Sequence, residues 1–175
     1  MEDHFDRVVS SMDAAMVVVT TARNGEPAGC LVGFHGQSSI HPRRYAVWLS
    51  KANHTYRVAW RSSHVAVHAL GVDDRDLAVL FGTETGDRVD KFARCDWEPG
   101  PAGVPLLARC PNVIVLHRVT LLDEGGDHAC LVGEPVAARS AGPLTPLRLA
   151  AVRDLDPGHT VDERPDPPTE RAARR

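Results

Sequence analysis

The sequence holds 175 residues at 19.0 kDa, one domain's worth of chain, and its 43% apolar and 25% charged residues make a globular mixture rather than a disordered one. A net charge of −3 excludes a broad nucleic-acid footprint, and the longest apolar run, residues 14–19, falls far short of the roughly 20 residues that span a bilayer. The acidic opening Met1-Glu2-Asp3-His4 fits no secretory signal. Cys30, Cys95, Cys110 and Cys130 are dispersed without C-x-x-C spacing and read as reduced thiols. The expectation is a soluble, cytoplasmic domain with neither nucleic acid nor membrane as partner.

In chain order, Glu2–Ser11 predicts a short helix with Phe5, Val8, Val9 and Met12 on one face. Residues 16–21 are β-branched and run into the turn signal Asn24-Gly25, so 28–32 predicts the return strand of a hairpin. Ile40-His41-Pro42 ends the next segment, and 45–49 is another short apolar run. Asn53 or Thr55 can cap a helix reaching about Arg61, and 65–70 predicts a strand closed by Gly71. Residues 74–81 predict a helix with an acidic first turn and Leu77, Leu80 and Phe81 on one side. Residues 97–101, with two prolines and a glycine, predict a loop. Val113–Leu122 predicts the longest strand, turned by Asp123-Glu124-Gly125-Gly126 into a partner over 128–132. Short strands punctuated by turns imply a mainly β barrel or sandwich with a few helices. The domain is expected to span 1–155. Residues 156–175, with four prolines, nine charges and few apolar residues, read as a mobile tail.

Several chemistries are absent. There is no G-x-G-x-x-G, no Gly-Lys pair and no G-x-S-x-G. His64 and His68 sit four apart, but on a strand that separation is roughly 13 Å and no single ion bridges it, so no metal is expected. The chain carries 18 Arg and only two Lys, Lys51 and Lys91, which singles out those two positions.

Three stretches carry candidate chemistry. Gly29-Cys-Leu-Val-Gly33-Phe34-His35 places glycines at both ends of an apolar strand, which suits close approach of a ligand or simply close packing. Leu49-Ser50-Lys51-Ala52-Asn53-His54-Thr55 brings hydroxyls, an amide, a lysine and helical N–H groups together, fit for a phosphate or for an ordinary capped helix. Gly125-Gly126-Asp127-His128 fixes a histidine at the mouth of a strand, or is a plain hairpin turn.

In their order and spacing these stretches resemble the flavin-reductase-like family of FMN-binding split barrels. The resemblance runs from about Val8 to Ala138. It rests on Val18-Val19-Thr20-Thr21, on Ser50 to Thr55, and on Asp90-Lys91-Phe92 followed by Trp97 and Gly103-Val104-Pro105-Leu106. Its most specific part is Gly126-Asp127-His128 with Gly133-Glu134-Pro135-Val136 downstream. The resemblance implies a homodimer of six-stranded split barrels with FMN near the subunit interface. It also implies reduction of flavin by NADH or NADPH, commonly to supply a partner monooxygenase. Carried over by position, Ser50, Lys51, Asn53 and Thr55 would hold the FMN phosphate. Val32, Gly33 and Phe34 would lie along the ring system, with Lys91 and Phe92 contributed by the following helix region. His128 would stand where the nicotinamide docks. The chain departs from the family in lacking ring-facing hydroxyls across Leu31-Val32-Gly33-Phe34.

The sequence therefore reads first as an FMN-dependent NAD(P)H:flavin reductase. The alternatives are a non-catalytic FMN-binding protein, acting as flavin carrier or redox-sensing module, and a barrel with a decayed site that works through its Pro-rich tail.

Overall fold

Asn24 and Gly25, at φ 52° and 81°, turn the chain between β1 (Val17–Arg23) and β2 (Glu26–Val32). A two-residue loop with both φ positive matches the twist of the flanking strands, and glycine accepts the left-handed conformation without steric cost. The pair then stays in strict register from Arg23↔Glu26 to Val17↔Val32. The computed structural model describes residues 2–158, with side chains from His4 onward.

The order of elements is α1 (Glu2–Ser11), β1, β2, β3 (His35–Ser39), β4 (Arg44–Ser50), α2 (His54–Arg61), β5 (His64–Ala69) and α3 (Arg75–Thr83). Then come β6 (Trp97–Pro99), β7 (Pro105–Leu107), β8 (Val113–Leu122), β9 (His128–Arg139) and a final 3-10 turn, Leu149–Val152. Seven strands form one antiparallel sheet in the order β2-β1-β5-β8-β9-β4-β3. Its two edges, β2 and β3, are consecutive in the chain with only Gly33 and Phe34 between them. Two residues reach roughly 10 Å at most, so the edges must meet at that end. The sheet curls into a half-barrel that is joined at Gly33–Phe34 and parts elsewhere. The fold is mainly β, as expected.

The same alternation that makes β1 a strand places it between two cores. Val17 and Val19 face a barrel interior with Cys30, Val47, Leu49, Val67, Leu116 and Leu131, and α2 adds Tyr56 and Ala59. Val18 faces the other side, where α3 packs Leu77, Ala78 and Phe81 alongside Leu70, Leu107 and Val152. Thr20 and Thr21 are buried on the same strand and donate their hydroxyls to Pro105 O (2.6 Å) and His64 O (2.8 Å). His68 lies on a strand, as its spacing predicts. It is fully buried, with Nδ1 donating to Val18 O and Nε2 accepting the Leu107 N–H, both at 3.1 Å.

The structure corrects the sequence reading in three places. Residues 97–101 are not all loop, because Trp97–Pro99 pairs with Pro105–Leu107 as a small antiparallel ribbon. The sheet has seven strands where the resemblance implies six, and one of them is the wholly polar His35–Ser39. The partner of Val113–Leu122 continues past 132 to Arg139. The face of α1 predicted to be apolar forms but is not covered: Phe5, Val8 and Met12 are 67%, 57% and 71% exposed. Most of the expected tail, 159–175, lies outside the described residues. Among the described residues no helix is long and apolar enough to cross a membrane. Nor do any three His, Cys, Asp or Glu side chains there gather as a metal site.

Candidate functional site

Beside the Gly33–Phe34 joint a cleft of about 340 Å³ opens, within the size range of small-molecule sites. Its floor is apolar, built from Met16, Leu31, Val32 and Phe81. One end is polar. There Ser50, Asn53, Asp127 and His128 line the wall, with Phe34 and Trp48 beside them.

Register explains that grouping. Ser50 and His128 are direct partners across β4 and β9, and Trp48 is opposite Cys130 two residues away, so Trp48, Ser50 and His128 share one face. The Trp48 N–H donates to Phe34 O at 2.9 Å, fixing the Gly33–Phe34 joint to β4. Phe34 then meets the His128 ring edge-on, with centroids 5.3 Å apart. His128 Nδ1 lies 2.8 Å from Asp127 Oδ1. An ionised carboxylate only accepts, so Nδ1 carries the proton and neutral His128 keeps Nε2 as an acceptor. The Lys51 N–H donates to Asp127 O at 2.9 Å, which ties the α2 entrance to the β8–β9 turn.

At the start of α2, Asn53 is the N-cap, and its side chain accepts from the Thr55 N–H at 3.0 Å. Ser50 and Asn53 therefore face the cleft for different reasons, one from strand register and one from helix capping. The other predicted residues are placed apart from the wall. Thr55 is buried, its hydroxyl against the Cys30 thiol, whose pKa burial pushes up. The Lys51 ammonium pairs with Asp123 and, with the Gly125 N–H, holds that carboxyl below its usual range. Lys91 is 2% exposed and donates to Gly29 O (3.1 Å) and Phe81 O (3.2 Å). Phe92 stacks edge-on between Phe81 and Trp97. Lys91 and Phe92 thus sit behind the cleft floor and line a separate polar depression with His54 and Asp87.

Sequence reasoning missed Met16, Trp48, Asp127 and Phe81 as cleft residues, and the wall supplied by Leu149, Val152, Leu155 and Pro157. Asp127 was legible as the acceptor beside His128. The rest reach the cleft only through tertiary packing. Chemically, the arrangement suits a planar, largely apolar ring with a polar tail, and it offers an imidazole of fixed tautomer at the polar end.

The profile of the flavin reductase like domain matches residues 9–151. The chain is 31% identical over 130 residues to the stachydrine N-demethylase reductase subunit Stc3 of Rhizobium meliloti, covering 71% of this chain and 54% of that one. It therefore spans about half the length of that relative. It is 29% identical over 148 residues to the NADH:riboflavin 5'-phosphate oxidoreductase of Streptomyces pristinaespiralis, covering 85% of this chain and 77% of that one. Among solved structures, a flavin reductase domain protein from Arthrobacter sp. FB24 superposes with a TM-score of 0.76 at 24% identity, covering 86% of this chain and 92% of that one. The fold is that of flavin-reductase split barrels. The chain belongs to the flavin reductase like domain family.

Proposed function

We propose that this protein is an FMN-dependent oxidoreductase that takes hydride from NADH or NADPH and delivers reduced flavin. The observation that carries this reading is the cleft beside the Gly33–Phe34 joint, where an apolar ring-sized floor meets a polar end containing His128 and its Asp127 partner. The names of the relatives support it, since that from Streptomyces pristinaespiralis is an NADH:riboflavin 5'-phosphate oxidoreductase.

The residues fit FMN in kind. Val32, Gly33 and Phe34 lie where an isoalloxazine would rest, and Gly33 and Phe34 offer backbone rather than hydroxyls to its heteroatoms. Ser50 and Asn53 stand at the polar end for the phosphate, with Lys51 and Thr55 in the same α2 entrance. Lys91 and Phe92 act from behind by fixing Gly29 and Phe81. Bound FMN would supply the hydride-accepting chemistry, so no nucleophile or metal is needed in the protein. His128 would orient the nicotinamide, its Nε2 accepting from the carboxamide N–H, or in its protonated form donate from Nε2 to negative charge growing on the ring.

A homodimer belongs to the same reading, with the uncovered face of α1 as one surface available to a second copy. The four cysteines are free, in keeping with the reducing cytoplasm. A monooxygenase is the natural recipient of the reduced flavin, as the reductase-subunit name of the rhizobial relative suggests. The hydroxyl-free stretch Leu31-Val32-Gly33-Phe34 favours a second reading, a flavin-binding protein that does not turn over.

Stopped-flow bleaching of FMN by NADH under anaerobic conditions separates the two. Bleaching is expected in the parent, and a ten- to hundredfold slower rate in His128→Ala at equal FMN occupancy, a loss of about 1.4–2.7 kcal/mol. An unchanged rate removes His128 from the mechanism. No bleaching in the parent favours the carrier.

A further inference from the structure

Residues 149–158 fold back across the cleft, and the last seven of them lie beyond the family match, which ends at 151. Leu149, Val152, Leu155 and Pro157 form the wall that faces Met16 and Phe81. Ser50 and Asn53 are at the other, polar end, so this strap borders the apolar part of the cleft.

The strap is pinned on two sides. Toward α1 and β1, the Leu149 N–H donates to Ala14 O (2.9 Å), the Ala150 N–H to Asp13 Oδ1 (2.7 Å), and Arg153 Nη2 to Ser10 O (2.8 Å). Toward α3, Arg75 donates through Nη2 to Asp154 Oδ2 (2.6 Å) and through Nε to Ala151 O (3.2 Å). Beyond Asp154 the chain closes on the end of α3. A glycine allows that approach: a Cβ at Gly158 would meet Thr83 O at 2.5 Å. Leu155 is only partly buried, and it lines the cleft. A leucine left partly exposed beside an open apolar cleft gains its remaining burial when an apolar surface arrives.

We propose that this strap is the cleft's specificity wall for the ring of the ligand, holding a planar, apolar tricycle by its face or edge and taking no part in phosphate binding. The inference rests on the FMN reading and adds to it which part of the flavin the strap selects. The strap is a fixed wall and not a lid, because its pins are backbone and ion-pair contacts outside the cleft.

The test titrates FMN and lumiflavin, a flavin ring without ribityl phosphate, into the full chain, Leu155→Ser, Arg75→Met and a chain ending at Asp154, with thermal melting to confirm that each is folded. Arg75 is outside the cleft, and its guanidinium donates to Ala151 O and Asp154 of the strap. The expected result is that all three variants lose about tenfold in affinity for both ligands, by the same factor. Unchanged affinities in Leu155→Ser and Arg75→Met overturn the proposal. So does a loss for FMN alone, which would put the strap at the phosphate end. Failure of the parent to bind FMN at all overturns the flavin reading itself, an outcome distinct from the other two.

Discussion

Lys51 and Lys91, the chain's two lysines, sit in contrasting ground. Lys51 stands at the β4–α2 junction, its ammonium shared with Asp123 at the surface and its N–H bonded to Asp127 O. Lys91 is buried behind the cleft floor, 5.5 Å from the Phe81 ring centre, and burial lowers its pKa. Its two acceptors explain the position. Phe81 O belongs to the last turn of α3, where carbonyls lack an intrahelical partner, and Gly29 O lies on the edge strand β2. One ammonium therefore closes a helix end and part of a sheet edge. The first lysine faces outward, where a ligand's charge could use it. The second satisfies backbone. Residue type alone does not distinguish these roles; the number of buried orphan carbonyls nearby does.

The largest effect should come from the interior lysine. Replacing Lys91 with Met leaves two buried carbonyls without a donor, at about 1–3 kcal/mol each, so urea unfolding should show a loss of roughly 2–6 kcal/mol. Lys51→Met should cost under about 1 kcal/mol, as expected for a partly exposed ion pair. Similar losses in the two variants would erase the contrast.

The same division governs what could be read from the sequence. Local signals are legible: Asn24-Gly25 predicts the first hairpin, Val113–Leu122 bounded by Asp123-Glu124-Gly125-Gly126 predicts the longest strand, and Asn53 is a possible cap. The stretch 35–39 gave no strand signal, because His-Gly-Gln-Ser-Ser has no apolar alternation and pairs through its backbone at an edge. Trp97–Pro99 looked like a loop because prolines and a glycine surround a ribbon of only three residues per strand. Of the candidate site, Ser50, Asn53 and His128 could be named from local motifs; register joins Ser50 to His128, and the α2 N-cap adds Asn53. The direction of Lys91 and the strap's wall depend on contacts tens of residues apart, which no window of sequence carries.

His68 extends the interior side of the comparison to a second buried base. Burial pulls its pKa down to about 4 from an ordinary 6.5, against the pull of Val18 O in the other direction. Between those values the unfolded chain binds a proton that the folded one refuses, so stability rises with pH across this window. It is fully present above pH 6.5 and is lost as pH falls toward 4, by up to about 3 kcal/mol. Urea melts at pH 7 and pH 4.5 should show this drop in the parent and a smaller one in His68→Gln, whose amide can keep a backbone contact without titrating. An equal drop in both would assign the acid sensitivity to carboxylates.

The smallest effect belongs to Lys51, and it asks whether the outward lysine serves a ligand. A charge-assisted bond to a phosphate is worth about 1.5–3 kcal/mol. Here Asp123 already engages the ammonium, so a phosphate would have to share it. Lys51→Ala should therefore weaken FMN by about tenfold, the low end of that range, and leave riboflavin unchanged. Asp123→Asn should act in the opposite direction. It frees the ammonium and removes a nearby negative charge, so FMN should bind severalfold tighter while riboflavin again stays level. Competition titrations of the two flavins against both variants read the sign directly. Equal changes for FMN and riboflavin would take Lys51 out of phosphate binding and leave it, like Lys91, a lysine that serves only the fold.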